Sequence, residues 1–478
     1  MHTFSQYFAK KWRPLPLIAL TLAVMVSGVL IELPHKQKAQ AAASADWSTY
    51  LMNNSRKGFN GAETIINPTT APHLKLHWTY KAGAAISTQP VEANRLIYWG
   101  SWDGYEHATH LGGSPAWATN LGTTTDSACF PPSVGVASTA TLASVVINGK
   151  ATLVDFVGGG NGYFYALNAS TGAVIWKTQL GSSPSHFLWS SPAFYNGSIY
   201  EGVASFGDCP LVQGQLVQMN AITGAIQHTF DVVPNGCVGG GVWGSPTIDS
   251  ATGMIYFVTG NAGSCATSEP YSTALVEVRA SDLSFISSWQ LPLAQRLPDS
   301  DFGTTPTLFN ATIHGVWHQL VGAENKDGKY YTLDRTHIHK GPLWKATISD
   351  AGECPECGTG GISPSAWDGT KLYVASGSTT IQGSKCQGSL RALDPATGAF
   401  LWHYCTTSGP VLGAVTAVPG VVTVGQGAYL SVLNANTGKL LYSYQVTTSG
   451  ELFYGAASIS NGVLYIGHAN GKLYAFGT

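Results

Sequence analysis

One twelve-residue pattern recurs along this chain and restricts it to a small set of folds. Arg391–Trp402 reads RALDPATGAFLW: an apolar run, a polar turn ending in Thr-Gly, and a second apolar run ending in Trp. Tyr165–Trp176, Val217–His228 and Ser431–Tyr442 repeat the pattern. Asx at the start of the turn and Gly near its end favour a short hairpin, because Asx bonds its own backbone and Gly accepts positive φ. Since the flanking runs have strand composition, the pattern predicts repeated β-hairpins, as in a propeller.

The hairpins belong to eight similar units. Each unit has a final strand of the form G-x-L/Y-x-A/V-L, and an outer strand that ends in Trp or a similar residue follows it. The final strands are predicted to start near Gly104, Gly162, Gly214, Thr273, Gly328, Gly388, Ala428 and Gly471. The eighth unit stops at Phe476 without an outer strand, whereas Leu74–Lys81 (LKLHWTYK) is predicted to be an isolated strand. Pairing the two would bury edges that an open array leaves exposed. The sequence therefore predicts an all-β, eight-bladed β-propeller over 74–478, in which the N-terminal strand closes the last blade.

A large aromatic residue ends most of the repeats, and it is interpreted as a packing residue. A Trp ring can fill the gap between adjacent blades. The residues concerned are Trp176, Trp289, Trp344 and Trp402, with Trp78 and Trp117 nearby in register.

The first 45 residues differ in character from the rest. Basic residues at 10–13 precede an apolar run over Leu15–Leu33, and Ala39–Ala45 offers small-residue cleavage sites. This pattern favours a signal peptide, and the alternative is an uncleaved membrane anchor. A contact with a membrane is expected only through this segment, if it is not cleaved. In both cases the remainder is expected to be extracytoplasmic: secreted, periplasmic or on the cell surface. The polar, irregular segment 46–73 is predicted to form a surface strap.

The charge of the chain argues against nucleic acid as a partner. Removal of residues 1–45 takes away five Lys or Arg and one Glu, and changes the formal net charge from −2 to −6. No basic stripe remains, and nucleic-acid binding requires one.

Eight Cys suit an exported protein with disulfides. Cys386 and Cys405 are symmetric about the DPATG turn, and Cys209 and Cys237 are symmetric about the NAITG turn. Residues placed in this way face each other across a hairpin, so both pairs are predicted to be disulfides.

The other four Cys are assigned less directly. Cys354 and Cys357 form a CPEC loop, for which a local disulfide is favoured because no second Cys/His pair stands at zinc spacing. Cys129 and Cys265 remain as a candidate long-range pair.

The repeat resembles that of the pyrroloquinoline quinone (PQQ) propellers, or quinoprotein alcohol dehydrogenase-like proteins, over nearly all of 47–478. The likeness implies the fold more strongly than the chemistry. An outer-membrane assembly lipoprotein of the same superfamily has such a propeller and binds no quinone.

Two interruptions of the repeat are similar to cofactor-site segments of the dehydrogenases. Gly239–Asn261 matches a segment with a Trp under the quinone plane and an Asn on a calcium ion, which implies these roles for Trp243 and Asn261. Pro298–Thr307 (PDSDFGTTPT) resembles the segment with the catalytic Asp, that of polyvinyl-alcohol dehydrogenases in particular, and the match is Asp301. Alcohol oxidation by a quinone needs such a base for the hydroxyl proton.

Two further roles are implied by the same resemblance. The family has a cation that contacts the quinone, and its match in Glu324–Arg335 is Lys326. It also has a carboxylate metal ligand in the third blade, where Val203–Gly214 offers Asp208, although Ser205 is the alternative match. A hard cation such as Ca²⁺ takes oxygen ligands of this kind.

The chain also departs from the family pattern. Cys129 is followed by Phe130 where many family enzymes have adjacent cysteines, and Gly360–Ser365 (GGISPS) lacks the Trp that follows a Gly-Gly in blade six. CPEC is followed by Gly358, so the chain contains no C-x-x-C-H motif and no covalently attached haem is expected.

Residues and resemblance together predict an exported oxidoreductase that uses PQQ and Ca²⁺ to oxidise an alcohol or a sugar. Its electrons would pass to an external cytochrome or another separate acceptor. The alternative is a non-catalytic propeller, a scaffold or binding protein that lacks the quinone.

Overall fold

The structure, a computed structural model, describes residues 45–265, 269–447 and 452–478. The predicted signal peptide or membrane anchor at 1–45 lies outside the described residues apart from Ala45. No helix among the described residues is both long enough and apolar enough to cross a membrane.

The described residues are almost entirely β-strands joined by turns. In chain order the strands are β1 (Lys75–Lys81), β2 (Val91–Ala93), β3 (Leu96–Gly100), β4 (Tyr105–His110), β5 (Pro115–Asn120), β6 (Thr124–Thr125), β7 (Ser133–Val134), β8 (Thr141–Ile147), β9 (Lys150–Gly158), β10 (Tyr163–Asn168), β11 (Val174–Gln179), β12 (His186–Phe187), β13 (Ala193–Tyr195), β14 (Ser198–Ser205), β15 (Gln215–Asn220), β16 (Ile226–Asp231), β17 (Thr247–Asp249), β18 (Met254–Val258), β19 (Ala274–Arg279), β20 (Phe285–Gln290), β21 (Thr307–Ile313), β22 (Val316–Asn325), β23 (Lys329–Asp334), β24 (Pro342–Thr347), β25 (Ala366–Trp367), β26 (Leu372–Ser376), β27 (Thr379–Ile381), β28 (Ser384–Cys386), β29 (Gly388–Leu393), β30 (Phe400–Thr406), β31 (Thr416–Val418), β32 (Val421–Gln426), β33 (Tyr429–Asn434), β34 (Leu440–Gln445), β35 (Ser458–Ser460), β36 (Val463–Gly467) and β37 (Lys472–Gly477). Short 3-10 helices occupy Ala71–His73, Leu293–Gln295, Ile338–Lys340 and Pro355–Cys357.

Within the described residues these strands build eight antiparallel blades, as predicted. Blades 1 to 7 are β2–β5, β8–β11, β13–β16, β17–β20, β21–β24, β25–β26 with β29–β30, and β31–β34. Blade 8 is β35–β37 completed by β1. The first strands of most neighbouring blades contact one another, so these strands surround a common centre. The strands predicted to be the last of each unit begin at the predicted residue or one residue after it, but each is the third of the four strands of its blade.

The ring is closed by the N-terminal strand. β1 pairs antiparallel with β37, from Lys75 opposite Gly477 to Lys81 opposite Lys472. The prediction that an N-terminal strand completes the last blade is therefore confirmed. The pairing removes two free edges from the sheet array.

Outer-strand tryptophans connect neighbouring blades. Their indole N–H groups donate to turn carbonyls of the following blade at 2.9–3.1 Å, in the pairs Trp78–Leu111, Trp117–Ala169, Trp176–Ala221, Trp344–Pro395 and Trp402–Ala435. The glycine of the turn is needed beneath the ring. Gly438 has φ +69°, and a Cβ there would lie 2.6 Å from the Trp402 ring. The interpretation of these rings as inter-blade packing is confirmed.

The first part of segment 46–73 is not a surface strap. Trp47, Leu51, Arg56 and Asn60 are fully buried. The hydrogen bonds of residues 47–60 reach the innermost strand of every blade, through Glu92, Leu142, Phe194, Ile248, Leu308, Trp367, Ala417 and Ile459. The sequence expectation was wrong here because polar, irregular backbone can be buried when free strand edges satisfy its polar groups.

Two of the predicted disulfides are present and two pairings are corrected. Cys386–Cys405 and Cys354–Cys357 form as predicted. The predicted Cys209–Cys237 pair and the candidate Cys129–Cys265 pair are wrong, because the bonds are Cys129–Cys209 and Cys237–Cys265.

The symmetry argument fails for Cys209 and Cys237 because facing positions persist only while strands are paired. The β15–β16 ladder ends at Gln215 opposite Asp231, and both cysteines lie beyond it in diverging loops. The Cys386–Cys405 bond forms although these residues do not face each other across one hairpin: Cys405 lies opposite Ser389 in the β29–β30 ladder, and Cys386 lies in β28, just before that ladder begins.

Replacing Trp402 by Ala should lower the free energy of unfolding by about 3–5 kcal/mol, because a buried ring and its hydrogen bond are both lost. Denaturant-induced unfolding followed by circular dichroism would measure the change. Trp317→Ala is the matched control: this Trp is 65% exposed, and its loss should change stability by less than about 0.5 kcal/mol. Equal effects of the two changes would contradict the packing role.

Candidate active site

All five residues predicted to contact substrate, cofactor or metal line one cavity. Asp208, Trp243, Asn261, Asp301 and Lys326 contribute to a cavity of about 640 Å³. They come from separate loops of blades 3 to 5, which the closed ring brings to one end of the propeller. The sequence placed these residues up to 118 positions apart, and the fold gathers them.

Asp301 lies at the centre of a polar cluster. Its Oδ1 accepts the backbone N–H of Asn261 at 2.6 Å, and its Oδ2 accepts from Lys326 Nζ at 2.8 Å. The side chain of Asp301 is only 7% exposed. Gly260 permits this approach, because a Cβ there would lie 2.8 Å from Asp301 Oδ1. The Thr-Gly-Asn sequence therefore positions the carboxylate through its backbone.

Lys326 connects Asp301 to a second carboxylate that the sequence analysis missed. Its Nζ lies 2.8 and 2.7 Å from the two carboxylate oxygens of Asp299. The backbone N–H of Lys326 also donates to the Asp301 carbonyl at 3.0 Å. The signal for Asp299 was present in the sequence, since PDSD contains two aspartates.

The charges in this cluster change the pKa values of Asp299 and Lys326. Burial and the neighbouring Asp301 charge raise the pKa of Asp299 to about 7, although Lys326 opposes the shift. Burial alone would lower the pKa of Lys326, but the Asp301 and Asp299 charges outweigh it and raise that pKa. Lys326 therefore remains a cation at neutral pH, and Asp299 can exchange a proton there.

Trp243 lies between the main cavity and a deeper one. It also lines a cavity of about 220 Å³ that reaches Tyr50 in the buried N-terminal segment. Lys326 Nζ lies 5.7 Å from the centroid of the Trp243 ring. Gly303 leaves room for the indole, since a Cβ there would come within 2.3 Å of the ring. The ring thus offers a flat surface beside a fixed cation.

Asp208 and its alternative Ser205 lie in this cavity together. The Ser205 hydroxyl donates a hydrogen bond to Asp208 Oδ1, and Asp208 adopts φ +59°. Burial raises the pKa of Asp208, the Ser205 hydrogen bond and Lys326 oppose the shift, and the Asp301 charge adds to it. Asp208 is therefore the residue of the two that offers a carboxylate.

Two disulfide-bonded loops border the cavity, and sequence reasoning missed this feature. The Cys129–Cys209 bond joins the loop that carries Phe130 to the loop that carries Asp208. Phe130 is 79% exposed. The bond connects a loop between blades 1 and 2 to a loop of blade 3, and the spacing of the two cysteines in the sequence does not reveal this contact.

The residues fit a planar quinone if a cation accompanies it. Among the described lining residues Lys326 is the single basic one, against the carboxylates of Asp208, Asp299, Asp301, Glu353 and Glu356. The acid groups of PQQ would add to that negative charge. A hard cation on the oxygens of Asp208 and Asn261 would offset it. The group of Cys354, Glu356 and Cys357 is not an alternative metal site, because its two sulfurs are bonded to each other.

The sequence of the chain matches a family model of propeller repeats. The family model described as outer membrane protein assembly factor BamB, a model of PQQ-like repeats, matches residues 107–269 and 333–477, more than half of the chain. The chain belongs to this PQQ-like propeller family.

Relatives within the family include dehydrogenases. A polyvinylalcohol dehydrogenase from Sphingopyxis sp. (strain 113P3) is 26% identical over 364 residues, which are 63% of this chain and 53% of that protein. The chain therefore matches about half of the relative's length.

Solved structures agree in fold. The quinohemoprotein alcohol dehydrogenase from Comamonas testosteroni superimposes with a TM-score of 0.70 at 17% identity, covering 91% of this chain and 81% of that one. BamB from Moraxella catarrhalis gives a TM-score of 0.57 at 15% identity, covering 85% of this chain and all (100%) of that one. At such identities the likeness concerns the fold alone.

Asp208→Asn should weaken terbium binding roughly tenfold or more, because the cavity loses a charged oxygen ligand. Terbium is the probe because its luminescence can be excited through nearby Trp rings such as Trp243. Asp282→Asn is the control, since Asp282 is exposed in a blade-4 turn. Equal terbium affinities of both variants and the unmodified protein would contradict a metal site at Asp208.

Proposed function

We propose that this protein is an exported, PQQ-dependent dehydrogenase that oxidises an alcohol or sugar hydroxyl. The observation that carries the proposal is the arrangement of Asp301. A buried carboxylate is held by the Asn261 N–H and Lys326, in a cavity that also contains the flat face of Trp243. A positioned base, a cation and a stacking surface are what quinone-dependent alcohol oxidation requires of a protein.

Asp301 is the residue assigned to the substrate proton. Its Oδ2 faces Lys326, and its Oδ1 is fixed by Asn261, so the carboxylate is oriented before a substrate arrives. The nearby ammonium stabilises negative charge that develops on an oxygen in the cavity. The bound quinone supplies the two-electron oxidation, and the protein supplies the base and the orientation.

Trp243, Lys326, Asp208 and Asn261 are the residues assigned to hold the cofactor. Trp243 would stack on the quinone plane, and Lys326 would donate to a quinone oxygen. Asp208 and Asn261 would provide oxygen ligands to Ca²⁺.

The substrate and the acceptor are proposed from the names of the relatives and from the sequence. Polyvinyl alcohol is the first substrate to test, because the relatives found by sequence carry that name and the exposed Phe130 offers an apolar contact at the cavity. A separate acceptor such as a cytochrome is proposed because this chain contains no C-x-x-C-H motif.

A non-catalytic propeller is the second candidate. It is favoured by the description of the matching family model as an assembly factor and by the acidic cavity lining, whose described residues include one Lys and five carboxylates. In that case the cavity would bind no quinone.

Reconstitution with PQQ and Ca²⁺ separates the two candidates. We expect quinone absorption in the purified protein and reduction of an electron-accepting dye when an alcohol is added. Asp301→Asn should lower the dye-reduction rate by about 10²–10⁴-fold while leaving quinone binding intact.

Asp282→Asn serves as the control for that measurement, and its rate should equal that of the unmodified protein. Absence of quinone binding would favour the non-catalytic candidate. An unchanged rate in Asp301→Asn would remove Asp301 as the base.

A further inference from the structure

Lys326 has no donor left for a ligand in this structure. An ammonium group has three N–H donors. Its contacts are Asp299 Oδ1 at 2.8 Å, Asp299 Oδ2 at 2.7 Å and Asp301 Oδ2 at 2.8 Å. A quinone oxygen can therefore bind Lys326 only if one of these bonds is given up.

Asp299 is the partner that can release Lys326. Its side chain is 32% exposed, compared with 7% for Asp301 and 8% for Lys326. Asp301 is also held by the Asn261 N–H and, through its carbonyl, by the Lys326 backbone. Asp299 has a weaker attachment, a backbone N–H that lies 3.4 Å from Glu353 Oε1.

We propose that Asp299 is a latch on Lys326: its carboxylate occupies the ammonium group in the ligand-free protein, and its release makes Lys326 available to an acidic, quinone-type ligand. Asp299 is thus a positioning residue that acts through Lys326. The inference rests on the proposed function, because it takes the quinone as the ligand.

The charges around Asp299 make its hold on Lys326 dependent on pH. Asp301 and Lys326 face it directly, Glu353 approaches its backbone, and Asp208 and Glu356 line the same cavity. The pKa of Asp299 is raised to about 7 by burial first and by the Asp301 charge second. A protonated carboxyl holds an ammonium group less strongly than a carboxylate does. The latch should therefore open as the pH falls below about 7.

Quinone binding at two pH values tests the latch. Titration of PQQ with Ca²⁺ present, followed by quenching of Trp fluorescence, would give the dissociation constant at pH 6 and pH 8. The unmodified protein should bind PQQ about tenfold more weakly at pH 8 than at pH 6. For a pKa of about 7, the protonated fraction of Asp299 falls about tenfold between these two pH values. Asp299→Asn should bind with the tighter affinity at both.

Asp282→Asn is the matched control and should keep the tenfold dependence. An Asp299→Asn protein with the same affinities as the unmodified protein would overturn the latch and leave the proposed function standing. Weaker binding by Asp299→Asn at pH 6 would also overturn it, because Asp299 would then assist the ligand. Failure of every variant to bind the quinone would instead count against the proposed function.

A measurement on the ligand-free protein tests the latch independently. The folded state binds the Asp299 proton more tightly than the unfolded chain does, because its pKa is raised. Asp299 therefore favours folding below about pH 4, and this contribution is lost as the pH rises towards 7. The difference in unfolding free energy between the unmodified protein and Asp299→Asn should change across that range. A constant difference would overturn the latch, because Asp299 would then not titrate as the latch requires.

Discussion

Closure of the ring by β1 and β37 is the constraint on which the rest of the structure depends. A row of blades leaves unpaired strand edges at both ends, and the Lys75–Lys81 pairing with Lys472–Gly477 removes them. Closure also gives the blades a common centre. The buried segment 47–60 bonds to the innermost strand of every blade at that centre. Loops from around the ring, including those of blades 3 to 5, line the cavity that contains Asp301.

The fold was predictable because the repeat encodes both the blade and its contact with the next blade. In several of these turns, the Gly permits a tight hairpin and also leaves room for the Trp of the preceding blade, as at Gly438 and Trp402. One short pattern therefore specifies local and tertiary structure together. The buried N-terminal segment was not predictable in this way, because its polar residues are satisfied by strand edges that exist only after the ring has closed.

Individual residues of the candidate site could be predicted from the sequence, but the contacts between the loops that carry them could not. Trp243, Asn261, Asp301, Lys326 and Asp208 were identified from interruptions of the repeat, and all line one cavity. Contacts between loops depend on where each loop leaves its blade. The Cys129–Cys209 bond and the Asp299–Lys326 pair are contacts of this type, and neither has a periodic signal.

Because the cavity lining is acidic, the charge of Lys326 affects several carboxylates and not only the ones it contacts. Burial and the Asp301 charge raise the pKa of both Asp208 and Asp299, and Lys326, the only cation among the described residues that line the cavity, opposes both shifts. Charges are weakly screened in such a cavity, so whichever carboxylate holds Lys326 changes the field that the others experience. Under the proposed function, an acidic ligand that enters this cavity would compete for the same ammonium group. Under the proposed function, a metal ion near Asp208 would add a second positive centre, and ligand and metal binding would then be coupled electrostatically through Lys326.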